Sequence, residues 1–372
     1  MFDNKKILIA AGGTGGHINP ALGIAGYIKD RHPSTEIVFV GTKDKMESRL
    51  VPQAGYELRT IEISGFYRSL NWESFKHNII TLSRLLKSSS QAKKIIKDFK
   101  PDLVIGFGGY VSGPVLRMAA KLHIPTAIHE QNAFPGVTNK ALAGRVDRVM
   151  LTSPQAEKYI KSKNPVVVTG LPVRNDLLKA DRREAVERLN TNGKPVILSM
   201  GGSLGAKPVN DAVLGMMIQK KDDGDCIFLH ATGKNGGDFI DKLKNAGIDP
   251  DEGTFRVTEY LNIPECLPAA DLVISRSGAS TLSELQALGK PSILIPSPYV
   301  AENHQFHNAM ALVNNDAAVI IEEKDLTPEL LTEKVNELIH DPDRLKEIGN
   351  NAEKMAVTDA GEKIYKTLCE LI

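Results

Sequence analysis

Along the first half of the chain, short apolar runs rich in β-branched residues alternate with segments of amphipathic helical pattern. Strands that are hydrophobic on both faces are typical of parallel sheets, because helices cover both sides of such a sheet. This alternation constrains the fold more than any other feature, and it predicts a doubly wound α/β domain. The predicted strands are KILIAA, EIVFVG, ELRTIEI, DLVIGFG, TAIHE, RVMLT and PVVVTG.

The alternation starts again after the segment GLPVRNDLLKADRREAVERLN, residues 170–190. A chain of 372 residues is too long for one ordinary core and fits two domains. We therefore expect two Rossmann-like parallel-sheet domains, 1–165 and 166–354, that face each other across a ligand cleft. The amphipathic end, 355–372, is expected to pack back on the first domain. The strands predicted in the second series are PVILSMGG, CIFLHATG, TFRVTEY, DLVISRSG, SILIPSP and AAVII.

Composition excludes several classes of protein. A net charge of +1 gives no general attraction to nucleic acid, and an aromatic content of 5% offers few platforms for base stacking. The three cysteines, Cys226, Cys266 and Cys369, match no metal or redox spacing. The N-terminus leads directly into a strand, and no apolar run approaches the ~18 residues that span a bilayer. We expect no nucleic-acid partner, and we expect any membrane contact to be peripheral.

The first glycine loop, AGGTGGH (residues 11–17), follows a strand and opens a helix. Glycines let the backbone approach a ligand closely, and a helix N-terminus attracts an anion such as a diphosphate. A dinucleotide-binding loop is the alternative, but the third glycine of that motif would fall on Ile18. The second strand also ends in Gly41 and Thr42, without the carboxylate that binds a ribose. The sequence therefore argues against a nicotinamide or flavin dehydrogenase.

Two more loops of this kind follow predicted strands. The second glycine loop is GFGGYVSGP (106–114), and the third is GGSLGAKPVND (201–211). Three such loops indicate a site for more than one phosphate-bearing ligand, although each loop alone could simply pack a helix against a strand.

Polar residues cluster after three further predicted strands. In the segment 275–298, SRSGASTLSELQALGKPSILIPSP, Glu284 lies one helical turn after Ser280. A carboxylate there suits the hydroxyls of a ribose, and the alternative is a capping glutamate on a surface helix. The segment AENHQFHNA carries amides that could bind sugar hydroxyls, and HEQNAFPG crowds polar side chains at a strand end. The residues of these two clusters are Asn303, His304, Gln305 and His307, and His129, Glu130, Gln131 and Asn132.

These stretches together resemble the MurG family of peptidoglycan glycosyltransferases. The resemblance rests on GGTGGHINP, GFGGYVSGP, HEQNAFPGVTNK, GGSLGAKPVN and SRSGASTLSELQALGKPSILIPSP with ENHQFHNA, in order over nearly the whole chain. It implies the two-domain B-type glycosyltransferase fold. It also implies transfer of N-acetylglucosamine from UDP-N-acetylglucosamine to undecaprenyl-pyrophosphoryl-N-acetylmuramoyl-pentapeptide, at the cytoplasmic face of the cell membrane.

The resemblance implies roles for matching positions of this chain. The first domain would bind the acceptor and meet the membrane, and the second would bind the UDP-sugar. Thr14, Gly15 and Gly16 would contact the donor diphosphate, and Asn132 the donor sugar. The positions implied in the nucleotide-sugar site of the second half are Arg174, Ser203 (phosphate), Leu261 (uracil), Ala279, Ser280, Thr281, Leu282, Ser283 and Glu284 (phosphate and ribose), and Gln305 (N-acetylglucosamine).

An inverting transfer needs a base for the acceptor 4-hydroxyl and a partner for the charge of departing UDP. His17 is the candidate base, because imidazole titrates near neutrality, and it could instead position phosphate or acceptor. Glu130 and His129 are rival bases. We expect helix N-termini rather than a metal or other cofactor to meet the UDP charge. Metal-dependent glycosyltransferases commonly use an Asp-x-Asp pair, and this chain has three, at 223–225, 249–251 and 341–343. We interpret these pairs as turns.

The segment 66–100 is the candidate membrane contact. It carries eight Lys or Arg against two acidic residues, with Trp72, Phe75, Ile79, Leu82 and Leu86 at helical spacing. A basic amphipathic segment favours an anionic lipid surface, and the alternative is a helix that covers the sheet with its charges solvated.

Three other functions remain open. A diacylglycerol sugar transferase would share the donor half, a nucleotide-sugar epimerase would need no acceptor, and a sugar-nucleotide-binding module would have no turnover.

Overall fold

The computed structural model describes residues 1–63, 87–250 and 253–372. The chain divides into two compact units. The first unit comprises Met1–Pro172 and Asp359–Ile372, and the second comprises Val173–Thr358. Each unit is built around its own parallel sheet, which confirms the predicted fold class.

In the described part of the first unit, seven strands form one sheet in the order β3-β2-β1-β4-β5-β6-β7. Every pair is parallel; the central strand β1 aligns Ile7 with Ile37 of β2 and with Leu103 of β4. All seven predicted strands are confirmed. They are β1 (Lys6–Ala10), β2 (Glu36–Gly41), β3 (Glu57–Thr60), β4 (Leu103–Gly106), β5 (Thr126–Glu130), β6 (Arg148–Leu151) and β7 (Val166–Val168).

Helices cover both faces of this sheet, as the apolar strands predict. Ile7 and Ile9 of β1 point into one apolar core, and Leu8 and Ala10 point into the other, because successive strand residues alternate between faces. The helices are α1 (Gly15–Arg31), α2 (Glu47–Gln53), α3 (described over 87–99), α4 (Ser112–Lys121), α5 (Val137–Leu142) and α15 (Ala360–Cys369), with a 3-10 turn at Pro154–Tyr159.

The two units divide a few residues beyond the expected boundary at 165. β7 pairs with β6 through Val149 and Val166, so a boundary at 165 would remove an edge strand from the first sheet. The end of the chain belongs to the first unit, where Ile364 and Leu368 of α15 are fully buried in the same core as Ile24 of α1.

In the described part of the second unit, six parallel strands have the order β10-β9-β8-β11-β12-β13. All six predicted strands are confirmed. They are β8 (Val196–Met200), β9 (Ile227–Ala231), β10 (Phe255–Thr258), β11 (Leu272–Ser275), β12 (Ser292–Leu294) and β13 (Val319–Ile320). The helices are α6 (Asn175–Leu178), α7 (Arg182–Leu189), α8 (Lys207–Gln219), α9 (Phe239–Asn245), α10 (Ile263–Ala269), α11 (Ala279–Ala287), α12 (His304–Val313), α13 (Pro328–Ile339) and α14 (Pro342–Lys354), with 3-10 turns at Ala301–Asn303 and Glu323–Asp325.

The candidate membrane segment lies mostly outside the described residues, including all five of its apolar positions. In its described part, Ala92, Ile96 and Phe99 of α3 are buried in the core of the first unit, whereas Lys93 and Lys97 are exposed. This part of the segment covers the sheet, as the alternative interpretation expects. Within the described ranges, no helix combines the length and the hydropathy needed to cross a bilayer.

Candidate functional site

The first and second glycine loops meet where the strand order of the first sheet reverses. β1 and β4 are neighbours at this point, so the loops that follow them lie side by side at the carboxyl edge. A Cβ atom on Gly109 would lie only 2.4 Å from the carbonyl oxygen of Gly12. Gly109 also has a φ of 76°. Both the close approach and the backbone conformation therefore require glycine here.

His17 lies half-buried in the first turn of α1 and contacts both loops. Its Nδ1 is 3.1 Å from the carbonyl oxygen of Gly12 and 3.3 Å from Oγ1 of Thr14. A carbonyl oxygen only accepts hydrogen bonds, so the contact with Gly12 places the proton of the neutral ring on Nδ1. Nε2 is then the basic nitrogen of the imidazole.

Ser112 anchors the second glycine loop. Its hydroxyl accepts a hydrogen bond from the Gly108 N–H at 3.1 Å. The same oxygen lies 3.0 Å from the carbonyl oxygen of Ala10 and 2.8 Å from that of Gly108, so its proton is shared with these acceptors. Because Ser112 is fully buried, these contacts fix the second loop against the end of β1.

Thr14, Gly15 and Gly16 form the start of α1. Thr14 is the exposed N-cap residue, and its carbonyl oxygen accepts hydrogen bonds from the N–H groups of His17 and Ile18. The first-turn N–H groups of a helix carry a partial positive charge at the loop. The three residues predicted to contact a diphosphate thus lie together at a helix N-terminus.

Glu47 is a residue that the sequence reasoning missed. It begins α2 and is fully buried. Oε2 accepts a hydrogen bond from the Gly13 N–H at 3.0 Å, and Oε1 accepts from the N–H and hydroxyl of Thr42 at 2.9 and 2.7 Å. A carboxylate therefore does stand at the end of β2. Its interactions are with the protein's own loops, and an acidic residue a few positions beyond the strand was the signal that could have revealed it.

Glu130, expected as a rival base, holds its own loop instead. It is buried at the end of β5. Oε1 accepts from the backbone and side-chain amides of Asn132 at 2.9 and 3.2 Å. Oε2 accepts from the Gly136 N–H at 3.0 Å and from Asn139 Nδ2 at 2.9 Å. A carboxylate with four such donors is poorly suited to accept a proton from a substrate, so the geometry argues against Glu130 as the base.

His129 is likewise unsuited to that role. It is fully buried, and burial lowers the pKa of its imidazole to about 4. Its Nε2 donates to the carbonyl oxygen of Gly170 at 2.9 Å, and Gln131 Nε2 lies 3.2 Å from its Nδ1. Of this cluster, Asn132 is half-buried and remains as the candidate contact for a sugar.

The third glycine loop lies at the corresponding point of the second sheet, where β8 and β11 are neighbours. A Cβ atom on Gly205 would lie 2.2 Å from the carbonyl oxygen of Thr232, and Gly205 has a φ of 77°. Ser203 is exposed at the tip of this loop, and its carbonyl oxygen accepts a hydrogen bond from the Lys234 N–H.

The loop after β11 and the start of α12 are joined directly. Ser277 donates from its hydroxyl to the carbonyl oxygen of Gln305 at 2.8 Å, and Asn308 Nδ2 donates to the carbonyl oxygen of Ser277 at 3.1 Å. Gln305 Oε1 accepts from the Ser297 N–H at 2.9 Å. This contact orients the Gln305 amide so that Nε2 is its donor group. Gln305 thus lies beside the start of α11.

Glu284 lies half-buried in α11, one turn after Ser280. Burial raises the pKa of its carboxyl to about 7, although the nearby charge of Arg174 lowers it and that of Asp176 raises it. Arg174 is exposed and its Nε lies 3.5 Å from Asp176. The charge of Arg174 is therefore close enough to act on the carboxyl of Glu284.

The remaining residues of the predicted donor site differ in exposure. Leu282 and Ser283 are buried, so their side chains serve packing and only the backbone is left for a ligand. Ala279, Ser280 and Thr281 are half-buried at the start of α11, and Leu261 is half-buried just after β10. Since all strands are parallel, Ser203, Leu261, Gln305 and the start of α11 share the carboxyl edge of the second sheet.

Two of the Asp-x-Asp pairs have structural partners. Asp341 caps α14 by accepting from the Arg344 N–H, and Asp223 and Asp225 pair with the buried Nζ of Lys220 at 2.8 and 3.5 Å. Residue 251 of the third pair lies outside the described residues. Across 1–63, 87–250 and 253–372, no group of three or more His, Cys, Asp or Glu side chains is arranged to hold a metal ion.

Two parallel sheets, with glycine loops and helix N-termini at their carboxyl edges, define a two-domain α/β protein of the B-type glycosyltransferase class. The chain belongs to glycosyltransferase family 28. Residues 7–151 match the Glycosyltransferase family 28 N-terminal domain, and residues 196–364 match the Glycosyltransferase family 28 C-terminal domain.

Curated relatives match nearly the full chain. An Acetivibrio thermocellus protein is 44% identical over 369 residues, which are 99% of this chain and 98% of the relative. A Ruminiclostridium cellulolyticum protein is 46% identical over 370 residues, covering 99% and 100%. Both are named UDP-N-acetylglucosamine--N-acetylmuramyl-(pentapeptide) pyrophosphoryl-undecaprenol N-acetylglucosamine transferase.

Solved structures have the same fold. The crystal structure of Acinetobacter baumannii MurG has a TM-score of 0.80 and 28% identity, covering 98% of this chain and 99% of its own. The calicheamicin glycosyltransferase CalG4 has a TM-score of 0.69 at 16% identity and covers 100% of both chains. The Staphylococcus aureus MnaA-UDP structure has a TM-score of 0.66 at 17% identity and covers 99% of this chain and 98% of its own. The last two likenesses concern the fold alone.

Proposed function

We propose that this glycosyltransferase transfers N-acetylglucosamine from UDP-N-acetylglucosamine to the 4-hydroxyl of undecaprenyl-pyrophosphoryl-N-acetylmuramoyl-pentapeptide, with inversion at the sugar carbon. The observation that carries the proposal is the full-length similarity to relatives named for this transfer. The glycine loops and the polar residues at the two sheet edges supply the chemistry that it requires.

In the second unit, the carboxyl edge binds the donor. Glu284 accepts hydrogen bonds from the ribose hydroxyls, and the start of α11 together with Ser203 binds phosphate oxygens. Leu261 lies by the uracil, and Gln305 donates from Nε2 to the N-acetylglucosamine. Arg174 adds a positive charge near the nucleotide, and its nearness to Glu284 supports this role.

In the first unit, His17 is the general base. Its Nε2 takes the proton of the acceptor 4-hydroxyl while that oxygen forms a bond to the anomeric carbon of N-acetylglucosamine. The bond from this carbon to the phosphate oxygen of UDP breaks, and the oxygen keeps the electron pair. Thr14, Gly15 and Gly16 bind the diphosphate at the start of α1, where N–H groups stabilise the charge of UDP. Asn132 contacts the transferred sugar.

We also propose that the protein works as a peripheral protein at the cytoplasmic face of the membrane, because its acceptor would carry a polyprenyl tail. The basic segment 66–100 would meet anionic lipid. Flotation with vesicles tests this part: binding should be stronger to anionic than to neutral vesicles, and equal binding to both would contradict the electrostatic contribution.

One experiment decides among the candidate functions. Purified protein is incubated with labelled UDP-N-acetylglucosamine, first alone and then with the lipid-linked muramoyl-pentapeptide. Label in a disaccharide lipid is the expected result. A third incubation contains the donor and diacylglycerol in place of the muramoyl lipid. A new nucleotide sugar formed from the donor alone indicates an epimerase, transfer to diacylglycerol but not to the muramoyl lipid indicates the other transferase, and binding without turnover indicates a binding module.

A further inference from the structure

We propose that Glu47 is a positioning residue that acts through the first glycine loop to hold the imidazole of His17 in its working orientation. This inference rests on the proposed role of His17 as the base. Glu47 itself is fully buried, so its carboxylate is not exposed to a substrate.

The contacts of Glu47 join two segments that are distant in sequence. Oε2 accepts a hydrogen bond from the N–H of Gly13 in the first glycine loop. Oε1 accepts two hydrogen bonds, from the N–H and the hydroxyl of Thr42 at the end of β2. The space for this side chain comes from glycines. A Cβ on Gly41 would lie 2.5 Å from Glu47 Cγ, and a Cβ on Gly12 would lie 2.8 Å from Glu47 Oε1.

Gly12 is therefore held from both sides. The Glu47 carboxylate packs against one side of its backbone, and Gly109 of the second loop packs against its carbonyl oxygen. That same carbonyl oxygen accepts the hydrogen bond from His17 Nδ1 at 3.1 Å. The direction of the Gly12 carbonyl decides which nitrogen of the ring carries the proton. Glu47 thus influences which nitrogen of His17 is basic, in the way that outer partners orient catalytic histidines.

Glu47→Gln is the sharpest variant for a test. Glutamine has the same shape, but its single carbonyl oxygen cannot accept from both Gly13 and Thr42. If its oxygen accepts from Gly13, its Nε2 faces the N–H of Thr42, and if its oxygen accepts from Thr42, Nε2 faces the N–H of Gly13. Two N–H donors that face each other form no hydrogen bond. Either Gly13 or Thr42 therefore loses its acceptor, and the link that Glu47 makes between the first glycine loop and the end of β2 is broken.

Asp147→Asn is the control from the same unit; Asp147 is exposed, whereas Glu47 is buried. Asp147 Oδ2 accepts from the N–H and the hydroxyl of Thr126, both at 2.8 Å, as Glu47 Oε1 accepts from those of Thr42. This carboxylate lies at the start of β5, at the amino edge of the sheet and away from the glycine loops. The carbonyl oxygen of asparagine can still accept both hydrogen bonds from Thr126, so this variant controls for the change from a carboxylate to an amide beside a threonine in the same unit.

The test is a double-mutant cycle on kcat. Glu47→Gln should lower kcat about tenfold to a hundredfold in the otherwise unchanged protein, because small misplacements of a catalytic group have effects of this size. In a His17→Ala background the same change should lower kcat less than about twofold, since residues that act as a unit are non-additive. Asp147→Asn should leave kcat within about twofold in both backgrounds. An equal loss in both backgrounds, or no loss from Glu47→Gln, overturns the proposal.

A second measurement does not depend on activity. The ¹⁵N chemical shifts of the His17 ring, assigned by comparison with His17→Gln, report which nitrogen carries the proton. We expect the Nδ1-protonated form in the unchanged protein and a smaller share of it in Glu47→Gln; identical ring shifts overturn the proposal.

If the unchanged protein shows no transfer, the proposed function fails while the ring shifts still test the link between Glu47 and His17. If Glu47→Gln does not fold, Thr42→Val, which removes one of the three donors, takes its place in both measurements.

Discussion

The imidazole of His17 occupies the space that a side chain on Gly108 would fill, so its position requires glycine at residue 108. A Cβ atom on Gly108 would lie 2.9 Å from Cδ2 and 3.1 Å from Nε2 of His17. Gly108 also has a φ of 96°, a conformation that side chains disfavour. The second glycine loop therefore limits where the imidazole of the first loop can lie, in addition to any ligand that it binds.

Gly108→Ala should lower kcat about tenfold to a hundredfold, because the methyl group pushes the imidazole away from its position. The measurement is kcat with donor and acceptor both saturating. Gly55→Ala is the matched control, since Gly55 has a φ of 83° and open space around its Cα. Both variants carry backbone strain of about 1–2 kcal/mol, but only Gly108→Ala contacts His17. An equal loss in kcat for the two variants would mean that strain, not the contact, is responsible.

His17→Ala should lower kcat about a hundredfold to ten-thousandfold if His17 is the general base. Comparison with His17→Gln separates the two roles that the sequence left open. Glutamine can still donate a hydrogen bond but cannot accept the proton of the acceptor hydroxyl. We therefore expect both variants to be slow in a single-turnover assay. Near-normal turnover by His17→Gln alone would make His17 a positioning residue, and near-normal turnover by His17→Ala would remove it from the chemistry.

The sheets were predictable from the sequence because their signal is local. Most strands are apolar runs covered by helices, and most are followed within two residues by a glycine or a polar residue. The division between the units, expected at residue 165 and found after Pro172, is harder to place than the strands, for the opposite reason. Val166, Val167 and Val168 form an edge strand only through pairing with β6, and nothing in those three residues indicates which sheet they join.

The site was predictable as a set of loops but not in its hydrogen bonds. Glu130 stands at a strand end, as a catalytic carboxylate would, yet the loop folds back so that Gly136 and Asn139 donate to it. Glu47 was missed because its partner Gly13 lies 34 positions away in the sequence. The role of Glu130 depends on how its own loop folds back, and that of Glu47 on a contact between distant segments; spacing along the chain reveals neither.

Lys290 should make the stability of the protein depend on pH. Its Nζ donates to the carbonyl oxygens of Pro268 and Ala270 at 2.6 and 2.8 Å, at the end of α10. Burial and, to a smaller extent, the charge of Arg182 lower the pKa of this amine to about 7 against the opposing effect of Asp271. Between this value and the ordinary pKa of 10.5, the unfolded chain binds more protons than the folded one. The contribution of Lys290 to the free energy of unfolding should therefore rise with pH, by at most about 1.4 kcal/mol per unit.

The measurement is denaturant unfolding at several pH values between about 7 and about 10, compared with Lys290→Met. The variant has no amine to titrate, so its stability should change less steeply over this range. Parallel pH dependences for the two proteins would show that Lys290 remains protonated in the folded state throughout the range.

Glu284 should make donor binding depend on pH. Burial raises the pKa of its carboxyl to about 7, so the group is largely protonated in the unliganded protein below that pH. A ribose donates its hydroxyl hydrogens, and an ionised carboxylate accepts them better than a protonated one. Binding of the donor therefore favours loss of the proton. The KM for UDP-N-acetylglucosamine should rise as the pH falls below about 7, approaching tenfold per pH unit at the limit.

Glu284→Gln provides the comparison. Its amide accepts at one oxygen only and does not titrate, so its donor KM should be higher than that of the unchanged protein at about pH 8. Its KM should also be independent of pH between about 6 and about 8. Because ribose contacts are made equally in the ground and transition states, kcat at saturating donor should change little. A loss confined to kcat, or a KM whose pH dependence survives in Glu284→Gln, would show that the ribose is not bound by this carboxylate.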